Sequence, residues 1–321
     1  MAAKREQRNR AGRGVRLQAD RKVRGRSRTT KVRAFAKINL SLRVLDVRAD
    51  LYHELRTVFQ SIALHDTLTF RPVPGPLRLE CSDPACPVDR VNLVWRAAEC
   101  VWVAAGRQGG PRDVAIRIEK RIPMAAGLGG GSSDAAAALR ALASLWRVAP
   151  ARLPEIAGSL GADVPYFLEG GTVLGLERGD ALFPLLDLPA SWVTLAIPSF
   201  GVSTKDAYAW WDEDAGRRGE APREVRNVGA AGVGWLAESE RRNDLQQPVA
   251  DRHPEIVKIV KALRRAGATH AAMSGSGSTV FGLFDRRVDA ERAARAIGSG
   301  GGTVVTRTLG RTEYQRRARA G

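Results

Sequence analysis

An α+β chain built in two layers is what the sequence predicts, and three observations carry that expectation. Strand-like and helix-like segments are mixed without the regular βαβ alternation of a parallel sheet. The 321 residues suffice for two domains or one large one, and a 44% share of hydrophobic residues suits a globular core. A strand at Val114–Lys120 runs into a glycine-rich loop and then an alanine-rich helix. No internal repeat is visible.

In chain order, Val32–Leu45 reads as a strand with partial alternation. Arg48-Ala-Asp-Leu51 forms a turn, followed by Tyr52–Ala63 and a further strand at Thr67–Arg71. Residues 72–90, rich in proline and aspartate, read as a loop. Asn92 caps a helix running to about Ala104 and stopped by Gly106. Helices are expected at Ser132–Arg147 and Leu153–Leu160. Gly161–Phe167 is too irregular for an element, and Pro165 pushes Val164 away from helix. Thr172–Glu177 and Trp192–Ile197 read as strands, and residues 212–234 as an exposed loop. Pro254–Arg265 is an amphipathic helix with Ile256, Ile259, Val260 and Leu263 on one face. A strand–loop–strand around residues 274–278, a helix near Asp289–Ile297 and a strand at Thr303–Thr306 complete the chain.

Composition narrows the function classes. No stretch reaches the roughly 18–20 apolar residues of a membrane span. The basic N-terminus is not followed by the apolar run of a secretory signal. Cys81, Cys86 and Cys100 are an odd set without a nearby histidine pair, which argues against a disulfide scaffold or zinc site and for the cytoplasm. The net charge is +17, and about half of it lies in residues 1–30, where eleven Lys or Arg face only Glu6 and Asp20. Such a tail is expected to be disordered. It is open to weak non-specific nucleic-acid contact, to being a solvated extension, or to a misassigned start. Residues 311–321 read as a second basic tail.

Four clusters could do chemistry. Pro123-Met124-Ala125-Ala126-Gly127-Leu128-Gly129-Gly130-Gly131-Ser132-Ser133-Asp134 has almost no side chains before its helix begins. Glycines allow close backbone approach, Ser132, Ser133 and Asp134 can cap the first turn, and a helix N-terminus attracts phosphate. The other reading is an ordinary loop before a core helix. The segment lacks the Gly-Lys-[Ser/Thr] of a Walker loop and is not G-x-G-x-x-G, so its cation must come from elsewhere. Lys37, beside Asn39 on an apolar strand, either reaches a buried partner or snorkels. Asp163 in Gly161-Ala-Asp-Val-Pro165 is either reactive or a turn brace. Ser274-Gly275-Ser276-Gly277 either supports a close approach or is a plain tight turn. Taken together, a phosphate cradle, a carboxylate and a cation are what a kinase acting on a small alcohol requires. Lys37 beside Asp163 would keep the aspartate ionised and polarise the attacking oxygen.

P-M-A-A-G-L-G-G-G-S-S-D-A-A-A resembles the central motif of the GHMP small-molecule kinases. A-K-I-N-L-S-L-R-V-L, R-A-D-L-Y-H-E-L, N-L-V-W-R-A-A, G-A-D-V-P-Y-F-L and M-S-G-S-G-S-T-V-F-G extend the likeness from about Ala34 to Phe284. They point to the branch acting on 4-diphosphocytidyl-2-C-methyl-D-erythritol in non-mevalonate isoprenoid synthesis.

The resemblance implies a two-domain fold with the active site in the cleft between domains. After a 1–30 tail come an ATP-binding domain at 31–185, a C-terminal domain at 186–310 and a 311–321 tail. It implies Lys37 and Asp163 as the catalytic pair. Asn39 would line the pocket, Tyr52 and His53 would meet the cytidine, and Tyr208 would stack on its other face. Asn92 and the segment from Pro123 to Ser133 would bind ATP, with Ser274, Gly275, Ser276 and Gly277 in support. Mg²⁺ is implied by the transferred phosphates, although no acidic cluster marks a protein-built metal site. The implied partners are this substrate and ATP, with no membrane, and the chain is expected to be a monomer or weak homodimer.

One departure stands out: Leu51 occupies the family's usual glycine in R-A-D-G-Y-H, a strain of roughly 1–2 kcal/mol if φ is positive there. Two alternatives stay open. A GHMP kinase for homoserine or a mevalonate derivative would not need Tyr52-His53, and a nucleic-acid-binding module would depend on the basic tail.

Overall fold

The computed structural model describes residues 29–49, 52–218, 241–298 and 300–319. The expectations for the 1–30 tail (to residue 28), for Leu51 and for residues 219–234 therefore lie outside the described residues.

The first sheet is organised by two long antiparallel strands, β1 (Thr30–Val47) and β2 (His53–Arg71), paired along almost their whole length. The far half of β2 also pairs with β4 (Ala115–Glu119), and its near half pairs with β5 (Thr172–Glu177). Short strands β3 (Arg78–Cys81) and β6 (Ala181–Pro184) complete this six-stranded sheet. The second sheet has four strands: β7 (Trp192–Ala196), β8 (His270–Met273), β9 (Val280–Phe284) and β10 (Thr303–Arg307), in the order β10-β7-β9-β8.

One face of the first sheet carries α1 (Leu93–Ala104), α2 (Gly130–Trp146) and α3 (Leu153–Leu160), sharing a core with Leu68, Ile116, Leu139 and Leu142. Its other face meets the second sheet through Ile38, Leu40, Ile62, Val193, Leu195 and Phe281. Beyond the second sheet lie α5 (Thr204–Arg218), α6 (Gln246–Arg252), α7 (Glu255–Arg265) and α8 (Arg287–Ile297), packed in a third core. Each unit is thus helices on a sheet, and the two sheets face each other. This sandwich explains the weak alternation in β1, where Ala34 to Leu42 are buried on both faces.

Several expected boundaries are corrected. Tyr52–Ala63 and Thr67–Arg71 are one strand, because His65 and Asp66 stay in register with Phe35 and Ala34. Asp66 looks like a turn residue but is buried, with its carboxylate accepting from the Arg121 and Ile122 amides. The 72–90 loop contains β3, and Tyr166–Glu169 forms a short helix, α4. Residues 212–218 continue α5 and are not loop. That helix is held by buried Ala207 and by Tyr208, Trp210 and Trp211 against the third core.

The 311–321 tail is also corrected, since Arg311–Ala318 is a helix, α9. It returns to the first unit, where buried Tyr314 packs on Phe35 and donates to the Phe167 carbonyl at 2.7 Å. The aromatic anchor outweighs the surrounding charge. Among the described residues no helix is long and apolar enough to cross a membrane.

His270 on β8 gives a stability prediction. Burial, with Arg241 and Arg264 nearby, holds its imidazole pKa down to about 4 from 6.5. A neutral folded histidine contributes its full stability above pH 6.5, and that contribution is lost as pH falls from 6.5 to 4. The gap is worth about 3 kcal/mol. In urea unfolding, the stability of the wild type relative to His270→Gln should shrink by that order between pH 7 and pH 4.

Candidate active site

A cleft of about 960 Å³ is lined by Lys37, Asn39, Tyr52, His53, Asn92, residues 123–132, Asp163, Tyr208, Gly275 and Ser276. These residues come from both units, and the two long strands and the glycine loop deliver most of them.

The glycine loop follows β4 and opens α2. Gly129 is the N-cap in a left-handed conformation, with no side chain capping the helix. Ser132, Ser133 and Asp134 therefore do not serve as the expected caps. The Ser133 hydroxyl donates to the Phe35 carbonyl at 2.7 Å and its amide to Gly129, so this buried residue turns from the cleft it was expected to line. The open helix end faces the cleft, which suits an anion.

Gly127, at φ +73, lies against the Ser274–Gly277 turn, where a Cβ would fall 2.0 Å from the Ser274 carbonyl oxygen. Ser274 Oγ donates to the Gly127 carbonyl at 2.9 Å, and Asn243 Nδ2 holds the turn through the Met273 and Gly275 carbonyls. Gly275 and Ser276 reach the cleft, while Ser274 and Gly277 stand behind it.

Lys37 bonds to the loop through its backbone, its amide donating to the Leu128 carbonyl at 3.1 Å. Its ammonium donates to Asn39 Oδ1 at 2.5 Å and lies 3.7 Å from Asp163 Oδ2. Asn39 in turn donates to Thr57 Oγ1 at 2.7 Å, which fixes its amide. Burial pushes the Lys37 pKa down, and Asp163 partly offsets that by favouring the charged form. Asp163 sits in the α3–α4 loop with its side chain 36% exposed, so it faces the cleft while Lys37 is enclosed.

At the other end, His53 Nε2 is 2.8 Å from Asp212 Oδ1. The His53 ring stacks on Tyr208 at 4.6 Å, with the edge of Trp211 at 5.7 Å. Tyr208, expected to stack on the far face of the base, has its ring against that of His53. Tyr52 is 58% exposed, with the Arg178 guanidinium 5.4 Å above its ring. Asn92 caps α1 by accepting from the Val94 amide at 2.9 Å, and it lies on the cleft wall near Cys86 and Pro87.

Lys120 was missed. Its ammonium lies beneath the glycine loop, 2.6 Å from Asp66 and 2.7 Å from Asp134. Asp134 and Asp66 keep it charged against the cost of burial, and burial raises the Asp134 carboxyl while Lys120 pulls it back down. A lysine directly before Arg-Ile-Pro and the loop was the only sequence signal, because Asp66 is remote in the chain. Arg178, Lys205 and Asp212 also line the cleft and were not anticipated.

Among the described residues no group of three or more His, Cys, Asp or Glu could cage a metal ion. One buried acceptor, Asp134 Oδ1, has no hydrogen-bond partner, and Ser132 lies at the same end of the loop. That donor set fits a cation held mostly by phosphate and water oxygens.

Two family descriptions match the sequence: GHMP kinases N terminal domain over residues 92–171, and GHMP kinases C terminal over residues 230–305. The 4-diphosphocytidyl-2-C-methyl-D-erythritol kinase of Moorella thermoacetica is 43% identical over 282 residues, covering 86% of this chain and 98% of the relative. Its counterpart in Deinococcus radiodurans is 42% identical over 266 residues, covering 82% and 86%. A solved 4-(cytidine 5'-diphospho)-2C-methyl-D-erythritol kinase matches with TM-score 0.70 and 37% identity, over 87% of this chain and 99% of that one. A homoserine kinase from Cytophaga hutchinsonii, 20% identical with TM-score 0.65 over 89% of this chain and 96% of that one, shares the fold.

Proposed function

The chain belongs to the GHMP kinase family, and from that premise we propose that it transfers the γ-phosphoryl group of ATP to the 2-hydroxyl of 4-diphosphocytidyl-2-C-methyl-D-erythritol. The products are the 2-phosphate and ADP, a step in the non-mevalonate route to isoprenoid precursors. The observation that carries the reading is the approach of Lys37 and Asp163 to 3.7 Å, beside an uncapped helix end in a cleft of about 960 Å³.

In this reading Asp163 accepts the proton of the 2-hydroxyl as its oxygen attacks the γ-phosphorus. The bond from the γ-phosphorus to the β,γ-bridging oxygen breaks, and ADP leaves. Lys37, held by Asn39, keeps Asp163 ionised and polarises the attacking oxygen. Backbone groups of Gly127 to Ser132 and the α2 N-terminus stabilise the charge developing on the phosphates. Asn92 lies at the adenosine end, and His53, Tyr52 and Tyr208 at the cytidine end. Bound Mg²⁺ would neutralise phosphate charge, with Ser132 and Asp134 as the oxygen donors at hand. Residues 31–185 supply the nucleotide side of the cleft and 186–310 the facing wall. The protein acts in the cytoplasm as a monomer or weak homodimer, and residues 1–30 add at most weak, salt-sensitive contact with nucleic acid.

The test is ADP release with Mg-ATP and a panel of alcohols. The cytidine-diphosphate substrate should be turned over far faster than homoserine or mevalonate. Comparable turnover of an alcohol without a nucleobase would refute the cytidine assignment.

A further inference from the structure

The cleft-facing side of α5 carries Lys205, Tyr208 and Asp212, at spacings of three and four that place them on one helical face. The order along that face matters. At its start, Thr204 Oγ1 lies 3.2 Å from Ser276 Oγ. The neighbouring Gly275 is close enough to Lys37 that a Cβ there would fall 3.2 Å from its ammonium. The beginning of α5 therefore adjoins the Lys37–Asp163 pair. One turn further on, the Tyr208 ring stacks on His53, while its hydroxyl feels the charge of Asp163. On the helix Lys205 lies between Thr204 and Tyr208, about 4.5 Å along the axis before the tyrosine, and it lines the cleft.

The other cations on the cleft wall are engaged. Lys37 faces Asp163, Lys120 is shared by Asp66 and Asp134, and Arg178 pairs with Asp180. Lys205, exposed on the wall, has no such partner among the described residues.

We propose that Lys205 is the ammonium that binds the diphosphate bridge of the acceptor substrate, and so selects a nucleoside-diphosphate-linked alcohol over a free one. The inference rests on the function proposed above. An acceptor with its hydroxyl at Asp163 and its base near His53 must pass its diphosphate along this stretch of α5. An unpaired ammonium at that point meets the charge without first breaking an ion pair.

The test uses the full chain, with Lys205→Met and Lys205→Arg. Titration calorimetry gives the affinities for CDP and cytidine, and steady-state kinetics give KM for ATP and for the acceptor. Wild type should bind CDP more tightly than cytidine. Lys205→Met should weaken CDP binding and raise the acceptor KM by about tenfold, with cytidine affinity and the ATP KM unchanged. Lys205→Arg should restore most of the loss.

Unchanged CDP affinity overturns the proposal, as does an equal loss for CDP and cytidine, which would reflect damage to α5. A rise in the ATP KM instead would assign the lysine to the triphosphate, which also overturns it. A wild type that binds neither ligand and turns over another alcohol removes the function reading itself, a result separate from any effect of the variants.

Discussion

Asp163→Asn should lower kcat by roughly 10²–10⁴-fold while the protein stays folded. The asparagine keeps the shape of the side chain but cannot take the proton of the hydroxyl. It also cannot hold the charge of Lys37, whose pKa burial already pushes down. The structure argues against the alternative role of Asp163 as a brace for its turn. The turn is closed by backbone bonds, with the Val164 amide donating to Gly161 and the Phe167 amide to Val164. The loss in unfolding free energy should stay below about 2 kcal/mol, because the aspartate side chain is partly solvated and Lys37 keeps its bond to Asn39. Steady-state kinetics beside thermal unfolding separate the two roles. A variant with near-normal turnover would remove Asp163 from the mechanism.

Gly127→Ala should be the most damaging small change in the glycine loop. At φ +73 any side chain is strained, by roughly 1–2 kcal/mol. The larger problem is contact, since the new Cβ would lie 2.0 Å from the Ser274 carbonyl oxygen and 3.0 Å from that of Gly277. Both are backbone atoms that cannot rotate away, so the two loops must separate. Separation breaks the Ser274-to-Gly127 hydrogen bond and shifts the Leu128 carbonyl that receives the Lys37 amide. Nucleotide affinity should fall by about tenfold or more, with a clear drop in melting temperature.

Gly131→Ala is the control. A Cβ there meets nothing within 4 Å, and alanine favours helix by up to about 1 kcal/mol. It should fold at least as well as wild type. Calorimetric titration with ATP analogues and a melting curve for each variant would check both expectations. Equal nucleotide affinity in Gly127→Ala and wild type would mean that the Ser274–Gly277 turn does not position the loop.

Much of the fold was legible because its signals are local. Asn92 caps α1 as its position suggested, and Ile256, Ile259, Val260 and Leu263 bury one face of α7 as their spacing required. Errors arose where a distant partner overrode local character. His65-Asp66 reads as a break, yet Asp66 is buried in a continuous strand because the amides of residues 121 and 122 and the Lys120 ammonium satisfy it. The basic end of the chain reads as a tail, but a single aromatic, Tyr314, folds it back onto the first unit.

The candidate site divides in the same way. Gly127 and Gly129 were visible as glycines whose backbone had to come close to something, without any indication that the neighbours would be the Ser274 turn and the Phe167 ring. The stack of Tyr208 on His53 and the lone ammonium of Lys205 had no sequence signature, because each depends on how α5 lies across the cleft.

Taken alone, the sequence determined those strands and helices whose signals are local, where backbone lies bare, and which motifs mark a GHMP kinase. Periodicity, capping and glycine act over a few residues, and a motif match needs only their order. Tertiary structure alone decided that Lys37 and Asp163 lie 3.7 Å apart, that Lys120 is spent on two carboxylates, and that Lys205 is left over to face the cleft. Whether a charge is paired depends on which strands share a sheet and which faces meet, and no local stretch of chain carries that information.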